Sequence, residues 1–374
     1  MDKFTRKTSF EQWFSPISQI KLEELVEIHQ LNYYTKKLQM DSFLKLLLFA
    51  QLNETESMRD VHLKLFSDEL QQVTGLESIS FSQLGRRLNQ VSTEVFQQLF
   101  LDLVAQIHEK SQYEQRRKIT TPLKIIDSST LPLNLNNHKW AEFRQTKSGI
   151  KLHLRLIHVE KGRSYPDQAA LTNAVEHDHG QLELLVDDKE CMYVFDRGYL
   201  DYKQFDQMTD DGYFFVSRLR KNAAIRVMEE FKLPEESTVL TDEMILIGTT
   251  QNRAENYFRR IKVADTKGNE LQLITNRFDL SADEIAELYK SRWAIELFFK
   301  WMKQHLNIKK FYAQSKQGVH NQVYIAMIVY CLHVLAQLRT NSPKSYLDIS
   351  RLLKAAPWKS AHLWIRKISG KAVP

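Results

Sequence analysis

The spacing of apolar residues changes twice along this chain, and no other feature of the sequence constrains its fold as strongly. Up to about residue 115 they recur at helical intervals, for example at Phe43, Leu46 and Leu47. Between 123 and 275 they form short runs or alternate with polar residues, which is typical of strands. Helical spacing returns after Ser281. The sequence therefore predicts a mixed α/β protein with an all-helical N-terminal domain.

Two of the predicted strands end in an aspartate. The apolar run 123–126 is followed by Asp127, and the run 191–195 is followed by Asp196. Ligands of open α/β sheets bind outside the carboxyl ends of the strands, so both carboxylates are candidates for one site. The alternative is that each aspartate only begins a turn or caps a helix, which is its usual role after a strand.

The helix predicted from Ser281 to about His305 carries a polar stripe. It begins with a capping box formed by Ser281 and Glu284. Five polar side chains fall within roughly 80° of its circumference at 100° per residue. These are Tyr289, Arg292, Glu296, Lys300 and Lys303. Because most of the remaining circumference is apolar, we expect a buried helix whose stripe faces a polar site inside the molecule. A solvated row of ion pairs four residues apart is the alternative.

Asp127, Asp196 and Glu296 together predict a metal site. Three converging carboxylates repel one another unless a divalent cation lies between them. A pair of Mg²⁺ ions roughly 3.5–4 Å apart activates an attacking water or hydroxyl and stabilises the leaving oxygen of a phosphodiester. The arginine and lysines of the stripe suit phosphate oxygens. The pattern therefore indicates metal-dependent chemistry on a phosphodiester.

A second candidate for DNA contact lies in the N-terminal helices. Gly75 is predicted to end one helix, and Ser80 or Ser82 to begin the next, which carries Arg86 and Arg87. Two helices joined in this way are typical of a helix-turn-helix reader, but also of a plain helical bundle with a solvated basic face. The net charge is +6, from 52 Lys and Arg against 46 Asp and Glu, and it gives only weak support for a polyanionic partner.

Composition and cysteine usage indicate a soluble intracellular protein. With 43% apolar and 26% charged residues, the chain has the composition of a globular protein and not of a disordered one. Cys191 and Cys331 are far apart and lack zinc spacing, so no disulfide framework is expected. No signal peptide is visible, and the most apolar early run, 43–52, falls short of the roughly 20 residues that cross a bilayer.

The motifs on these elements resemble those of bacterial insertion-sequence DDE transposases of the IS-four family. That family is marked by a Y-x2-R-x3-E-x6-K signature. Its four positions are filled here by Tyr289, Arg292, Glu296 and Lys303. Its first acidic motif corresponds to Asp127 in the segment IDSST, and its second to Asp196 in the segment FDRGY. The resemblance extends from about 120 to 340.

This resemblance implies a division of the chain into functional parts. An RNase-H-like catalytic core, a mixed sheet with flanking helices, would be formed by 116–216 and 278–340. A β-rich insertion, 217–277, would interrupt it. Residues 1–115 would form the helical domain that binds DNA ends. The tail 341–374 is a candidate dimer contact, and packing of the tail on the core is the alternative.

The resemblance also implies the roles of single residues. The residues expected to catalyse the reaction and to hold two Mg²⁺ ions, with Mn²⁺ as a substitute, are Asp127, Asp196 and Glu296. Those expected to contact phosphates near the transposon end are Tyr289, Arg292, Lys300 and Lys303. Further candidates for DNA contact are Arg86, Arg87 and Arg218. Arg155 could extend the phosphate track, although ordinary surface charges are the commoner explanation for such residues.

Members of this family nick DNA, form a hairpin on the transposon end, reopen it and join the freed 3′-OH to target DNA. The implied partners are the inverted-repeat ends of the element, target DNA and a second copy of the chain, with no membrane. The implied location is the bacterial cytoplasm, at the nucleoid. A hairpin route needs an unstacked base held by an aromatic side chain. Candidates are Trp293, Tyr257 and Phe258.

Three other functions are compatible with part of this pattern. A metal nuclease on the same core would cut DNA without joining it. A decayed transposase would only bind DNA, but the intact Asp127, Asp196 and Glu296 argue against decay. A glycosidase would use a carboxylate pair without a metal and would leave the basic stripe unexplained.

Overall fold

The computed structural model describes the chain in seven ranges, 7–115, 122–160, 163–175, 179–249, 251–265, 267–305 and 311–370. The chain divides into two compact units. The helical unit comprises Met1–Arg117, Leu131–Ile150 and Lys300–Pro374. The sheet unit comprises Lys118–Thr130 and Lys151–Phe299. The expected junction between the N-terminal domain and the core, at residue 116, lies outside the described residues.

Fourteen α-helices are present in the described ranges. In chain order they are α1 (Ser9–Phe14), α2 (Gln19–Ile28), α3 (Met40–Leu52), α4 (Met58–Lys64), α5 (Asp68–Thr74), α6 (Phe81–Gln90), α7 (Thr93–Gln115), α8 (Leu182–Leu185), α9 (Tyr202–Asp210), α10 (Ala282–Lys290), α11 (Trp293–His305), α12 (Lys316–Thr340), α13 (Tyr346–Ala355) and α14 (Ala361–Ile368).

Eleven strands are present in the same ranges. In chain order they are β1 (Leu123–Leu133), β2 (Glu142–Arg144), β3 (Lys147–Glu160), β4 (Arg163–Asn173), β5 (Met192–Phe195), β6 (Phe214–Arg218), β7 (Ile225–Glu230), β8 (Val239–Thr249), β9 (Asn252–Arg253), β10 (Phe258–Ala264) and β11 (Glu270–Thr275).

Local sequence signals fix several helix ends. Gly75 follows α5 with a φ of +67°, the left-handed conformation that glycine adopts without strain. The Ser80 hydroxyl accepts a hydrogen bond from the Gln83 N–H at the start of α6. Ser281 and Glu284 form a capping box at the start of α10. The predicted C-cap and both predicted N-terminal signals are confirmed.

The helix α12 is the centre of the helical unit. All side chains from 321 to 337 are buried, because α12 packs against α7, α3, α6 and α13. Within the described ranges α12 alone is long and apolar enough to cross a membrane. Most of it is buried inside the protein, and the core helix of a soluble protein has the same length and composition, so this is weak evidence for a membrane span.

The sheet unit is built on one mixed sheet. Its strand order is β2-β3-β1-β5-β6-β11-β10-β8-β7, with β4 also paired to β3 and β9 paired to β8. The strands β1, β5 and β6 are parallel, whereas β6, β11, β10, β8 and β7 are successively antiparallel. The β-rich segment predicted between the second Asp and the Glu therefore continues the core sheet through the pairing of β11 with β6. The mixed α/β class predicted from the sequence is confirmed.

An aromatic cluster packs on the sheet beside the end of β5. The rings of Phe205 and Phe215 lie 4.5 Å apart, and Phe195 stacks on Phe215 at 5.7 Å. Phe258 on β10 contacts the same group, and all four side chains are fully buried. Because Phe195 is anchored in this cluster, the backbone at Asp196 is held in place.

Candidate active site

Asp127 and Asp196 lie next to each other where the pairing of β1 and β5 ends. The two strands are parallel and Ile126 is in register with Phe195, so the next residue on each is an aspartate. Neighbouring strands are about 4.8 Å apart, which brings the two carboxylates close together. Both aspartates are half-buried. The parallel register thus gathers two of the predicted site residues.

Arg292 connects the third carboxylate to this pair. Its Nη1 lies 3.5 Å from Oδ2 of Asp127, and its Nη2 donates a hydrogen bond to Oε1 of Glu296. The guanidinium carbon lies 5.9 Å from the ring centroid of Tyr289. Three of the five residues of the predicted stripe, Tyr289, Arg292 and Glu296, therefore lie together, and Arg292 connects them to Asp127.

The polar stripe lies on two helices, and the prediction of one continuous helix to about His305 is wrong. α10 ends before Ser291, and α11 begins after Arg292. Between them the Arg292 N–H donates to the Tyr289 carbonyl at 3.0 Å, a hydrogen bond that spans three residues instead of four. Such a tight turn continues the right-handed coiling of the chain from α10 into α11. Tyr289 on α10 and Glu296 on α11 therefore remain on the same side of the helix pair.

The expectation that this helix is covered on most sides is also wrong for part of α11. Ile295, Phe298 and Met302 are buried, but Trp293 and Leu297 are 58% and 50% exposed. A helical wheel shows which side chains are apolar, and only the packing of the other elements decides which of them are covered.

Burial raises the pKa of the Asp127 carboxyl to about 6. The Ser128 N–H, which donates to Oδ1 at 2.7 Å, and the positive charge of Arg292 oppose this shift, whereas the negative charges of Asp196 and Glu296 add to it. Sequence reasoning did not single out Ser128, because a backbone donor leaves no mark in the residue pattern. Three carboxylates with one guanidinium give the site a net negative charge when they are ionised, which favours the binding of a cation.

The chemistry of the donor set suits a divalent metal ion. Asp127, Asp196 and Glu296 offer only hard oxygen donors, which Mg²⁺ prefers. Over the described part of the chain, no group of three or more His, Cys, Asp or Glu side chains is close enough to hold an ion as it stands. Arg292 contacts two of the three carboxylates and supplies part of the positive charge that they require. Coordination of one ion by all three would therefore require these side chains to close around it.

The other predicted contacts on the core differ in exposure. Burial raises the pKa of the Tyr289 hydroxyl to about 12, and the charges of Arg292 and of Arg218, at the end of β6, act against this shift. Arg218 is thus close enough to Tyr289 to influence its hydroxyl. Further along α11, Lys300 is exposed and Lys303 is half-buried.

Three basic residues away from this site have different surroundings. Arg86 is exposed on α6, whereas Arg87 is half-buried and donates a hydrogen bond to the Leu31 carbonyl. Arg155 does not extend a phosphate track, because it is buried and pairs with Asp167 at 2.7 Å. Charge alone did not distinguish these environments in the sequence.

Residues 119–332 match the family model described as the transposase DDE domain. The match spans more than half of the chain. The chain belongs to the DDE transposase family. DNA cleavage and strand transfer are typical of DDE transposases, and these enzymes generally use divalent metal ions. Residues 5–74 match a second model, described as a domain of unknown function.

Relatives of this DDE transposase include transposases of insertion sequences. The chain is 26% identical over 283 residues, 74% of each protein, to one named the probable transposase for insertion sequence element IS5377 from Geobacillus stearothermophilus. It is 29% identical over 243 residues, 64% of this chain and 66% of the other, to one named transposase y4zB from Sinorhizobium fredii. The solved piggyBac transposase synaptic complex with hairpin DNA is 11% identical with a TM-score of 0.47, covering 98% of this chain and 81% of that one.

Proposed function

We propose that this protein is an IS-four transposase with the Y-R-E-K signature that moves its own element. It binds the ends of the element, excises it by metal-dependent hydrolysis and transesterification through hairpin ends, and joins the 3′-OH ends to target DNA. The observation that carries this proposal is the position of Asp127 and Asp196 side by side, directly after the last paired residues of the parallel strands β1 and β5, with Arg292 linking Asp127 to Glu296.

The catalytic residues in this proposal are the three carboxylates, Asp127, Asp196 and Glu296. They would hold two Mg²⁺ ions, or Mn²⁺ in their place, which supply an activated water or 3′-hydroxyl and neutralise the leaving oxygen. The fixed positions of the two aspartates on β1 and β5 would set where the scissile phosphate lies.

The signature residues around the carboxylates would hold the DNA strand. Arg292 presents a planar fork suited to two phosphate oxygens. The Tyr289 hydroxyl, whose pKa burial raises to about 12, stays protonated at neutral pH and donates a hydrogen bond to phosphate. Lys300 and Lys303 would neutralise charge further along the strand, and Arg218 would add to this track.

The proposed partners are double-stranded DNA and a second copy of the chain. The helical domain 1–115 would bind the inverted-repeat ends, with Arg86 and Arg87 as its basic residues, and the tail 341–374 would contribute to a homodimer in the end complex. The proposed place of action is the bacterial cytoplasm, at the nucleoid.

A cleavage assay tests this function directly. The substrate is a supercoiled plasmid that carries the DNA flanking this gene, and wild type is compared with Glu296→Ala, with and without Mg²⁺. Metal-dependent cuts at defined ends that the variant does not make would support the proposal. Cuts at defined ends with no joined product would instead favour a metal nuclease, and binding without cuts would favour a transposase remnant.

A further inference from the structure

A cleft lined by cationic side chains lies between α6 and the segment 29–39, which joins α2 to α3. Its volume is about 420 Å³. The charged residues that line it are Lys36, Lys37, Arg86 and Arg87. No Asp or Glu of the described chain lines it. Four positive charges in one cleft repel one another, so the cleft is suited to an anionic ligand.

Three of these four cations form no ion pair in the described ranges, although Lys36 and Lys37 also line a neighbouring cavity with Glu77. Lys36, Lys37 and Arg86 are exposed, and their side chains make no ion pair or hydrogen bond with any residue in the described ranges. The neighbouring Lys45, in contrast, pairs with Asp41 at 2.7 Å. The charge of the cleft is therefore available to a partner from outside the chain.

Arg87 keeps the two walls of the cleft together. It is half-buried, and its Nη2 donates a hydrogen bond to the Leu31 carbonyl, which ties α6 to the segment 29–39. The Met40 N–H donates to the Asn32 side chain at 2.8 Å, so the segment is also fixed where α3 begins. Arg87 is thus a positioning residue that holds the two lysines beside α6.

The solvent face of α6 carries side chains that suit base edges. Leu84 and Leu88 are fully buried and fix the opposite face. Arg86 and Gln90 lie four residues apart, both are exposed, and neither side chain is paired within the described part of the chain. Arg pairs bidentately with guanine and Gln with adenine in the major groove.

The segment 29–39 also presents an aromatic side chain to solvent. Tyr34 is 91% exposed and has a φ of +55°, a conformation that bulky residues seldom adopt. Its ring lies 4.2 Å from that of Tyr33. Tyrosine hydroxyls donate hydrogen bonds to DNA phosphates, so Tyr34 adds a phosphate donor beside Lys36 and Lys37.

We propose that this cleft clamps the backbone of duplex DNA and so places α6 in the major groove. Lys36 and Lys37 contact phosphates, and Arg86 and Gln90 contact base edges. A helix fits the major groove of B-form DNA but not the deep, narrow major groove of duplex RNA. This inference rests on the proposed function and assigns the residues that would read the element's ends.

Binding of the full-length protein to fluorescent duplexes, measured between 50 and 300 mM salt, tests the clamp. Lys36→Ala/Lys37→Ala should bind end DNA and scrambled DNA about tenfold more weakly and reduce the salt slope by about 2. Arg86→Ala should instead lose part of the preference for end DNA over scrambled DNA. The matched control is Lys110→Ala/Lys359→Ala, which removes two exposed lysines outside the cleft. Circular dichroism checks that each variant is folded.

The outcomes separate the clamp from the proposed function. If the double-lysine variant keeps the wild-type affinity and salt slope while wild type still cuts the plasmid, the clamp is wrong and the transposase function stands. Equal binding of duplex RNA and duplex DNA would also overturn the clamp. If wild type neither prefers end DNA nor shows Glu296-dependent cutting, the proposed function fails and the clamp fails with it.

Discussion

The guanidinium of Arg292 lies 3.5 Å from the carboxylate of Asp127, although 165 residues separate them in the chain. The same guanidinium donates to Glu296. A side chain that we propose to contact DNA phosphate is thus paired with two of the proposed metal ligands. Metal binding and phosphate binding at this site are therefore expected to influence one another through Arg292.

Replacement of Arg292 should change metal affinity in the absence of DNA. In Arg292→Gln the carboxylates lose the cation that neutralises them, so Mn²⁺ should bind several-fold more tightly. Titration of Mn²⁺ followed by electron paramagnetic resonance measures this without any cleavage. Arg220→Gln, which changes an exposed arginine, is the control. Unchanged or weaker Mn²⁺ binding in Arg292→Gln would contradict the idea that the Arg292 guanidinium and a metal ion compete for the same carboxylates.

The proposed phosphate contact of Arg292 has a separate test. Arg292→Ala should weaken the binding of end DNA and reduce the slope of log affinity against log salt by about 1, because one fewer counterion is released. Fluorescence anisotropy at several salt concentrations measures this slope. An affinity loss with the full wild-type slope would show that Arg292 acts only through Glu296 and Asp127.

Removal of Glu296 should separate cutting from binding. Loss of one metal ligand removes several kcal/mol of transition-state stabilisation, so Glu296→Ala should cut DNA at least roughly 1,000-fold more slowly. Its affinity for end DNA should stay near that of wild type, because the basic residues remain. Single-turnover cleavage and gel-shift titration measure the two quantities. A parallel loss of binding would remove the support for a metal-ligand role.

A buried ion pair in the β-rich segment should be important for stability. Arg259 and Asp242 are both buried and form two hydrogen bonds of 2.6 and 2.7 Å. Asp242→Ala leaves the Arg259 charge unpaired inside the sheet, which should cost about 3–5 kcal/mol in urea unfolding. The control is Glu287→Ala, which breaks an exposed pair with Lys290 and should cost less than about 1 kcal/mol. Equal losses of unfolding free energy in Asp242→Ala and Glu287→Ala would contradict the burial of the Arg259–Asp242 pair.

Acid should destabilise the helical unit through His333. Burial lowers the pKa of His333 to about 4, against the effect of the Val329 carbonyl, to which its Nδ1 donates at 2.6 Å. The unfolded chain binds a proton near pH 6.5 and the folded chain only near 4. The unfolded state therefore holds more protons in this window, and stability falls as the pH drops through it.

The magnitude of this effect is measurable by comparing urea unfolding at pH 7 and pH 4.5. His333→Phe should remove up to about 3 kcal/mol of the acid-induced loss. His362→Phe, at an exposed position, should leave the loss unchanged. The prediction fails if wild type and His333→Phe show the same difference between the two pH values.

The features that the sequence predicted correctly depend on neighbouring residues. Gly75 ends α5 because glycine adopts positive φ without strain, and the Ser281 hydroxyl caps α10 three residues away. Asp196 was correctly predicted at a strand end because it follows an uninterrupted apolar run, whereas the same prediction for Asp127 is wrong, since β1 continues to Leu133. Periodicity reports such elements, since a helix or strand repeats its buried face at a fixed interval.

Only the tertiary structure shows which charged residues are paired or buried by segments that are distant in the sequence. Arg155 and Arg218 are both arginines in strands, yet Asp167 and the surrounding core bury the first, while the second lies near Tyr289. The cationic wall of Lys36 and Lys37 beside α6 likewise has no signature in the linear sequence. A charged side chain takes its role from whichever segments pack around it, and that packing depends on many weak contacts across the whole chain.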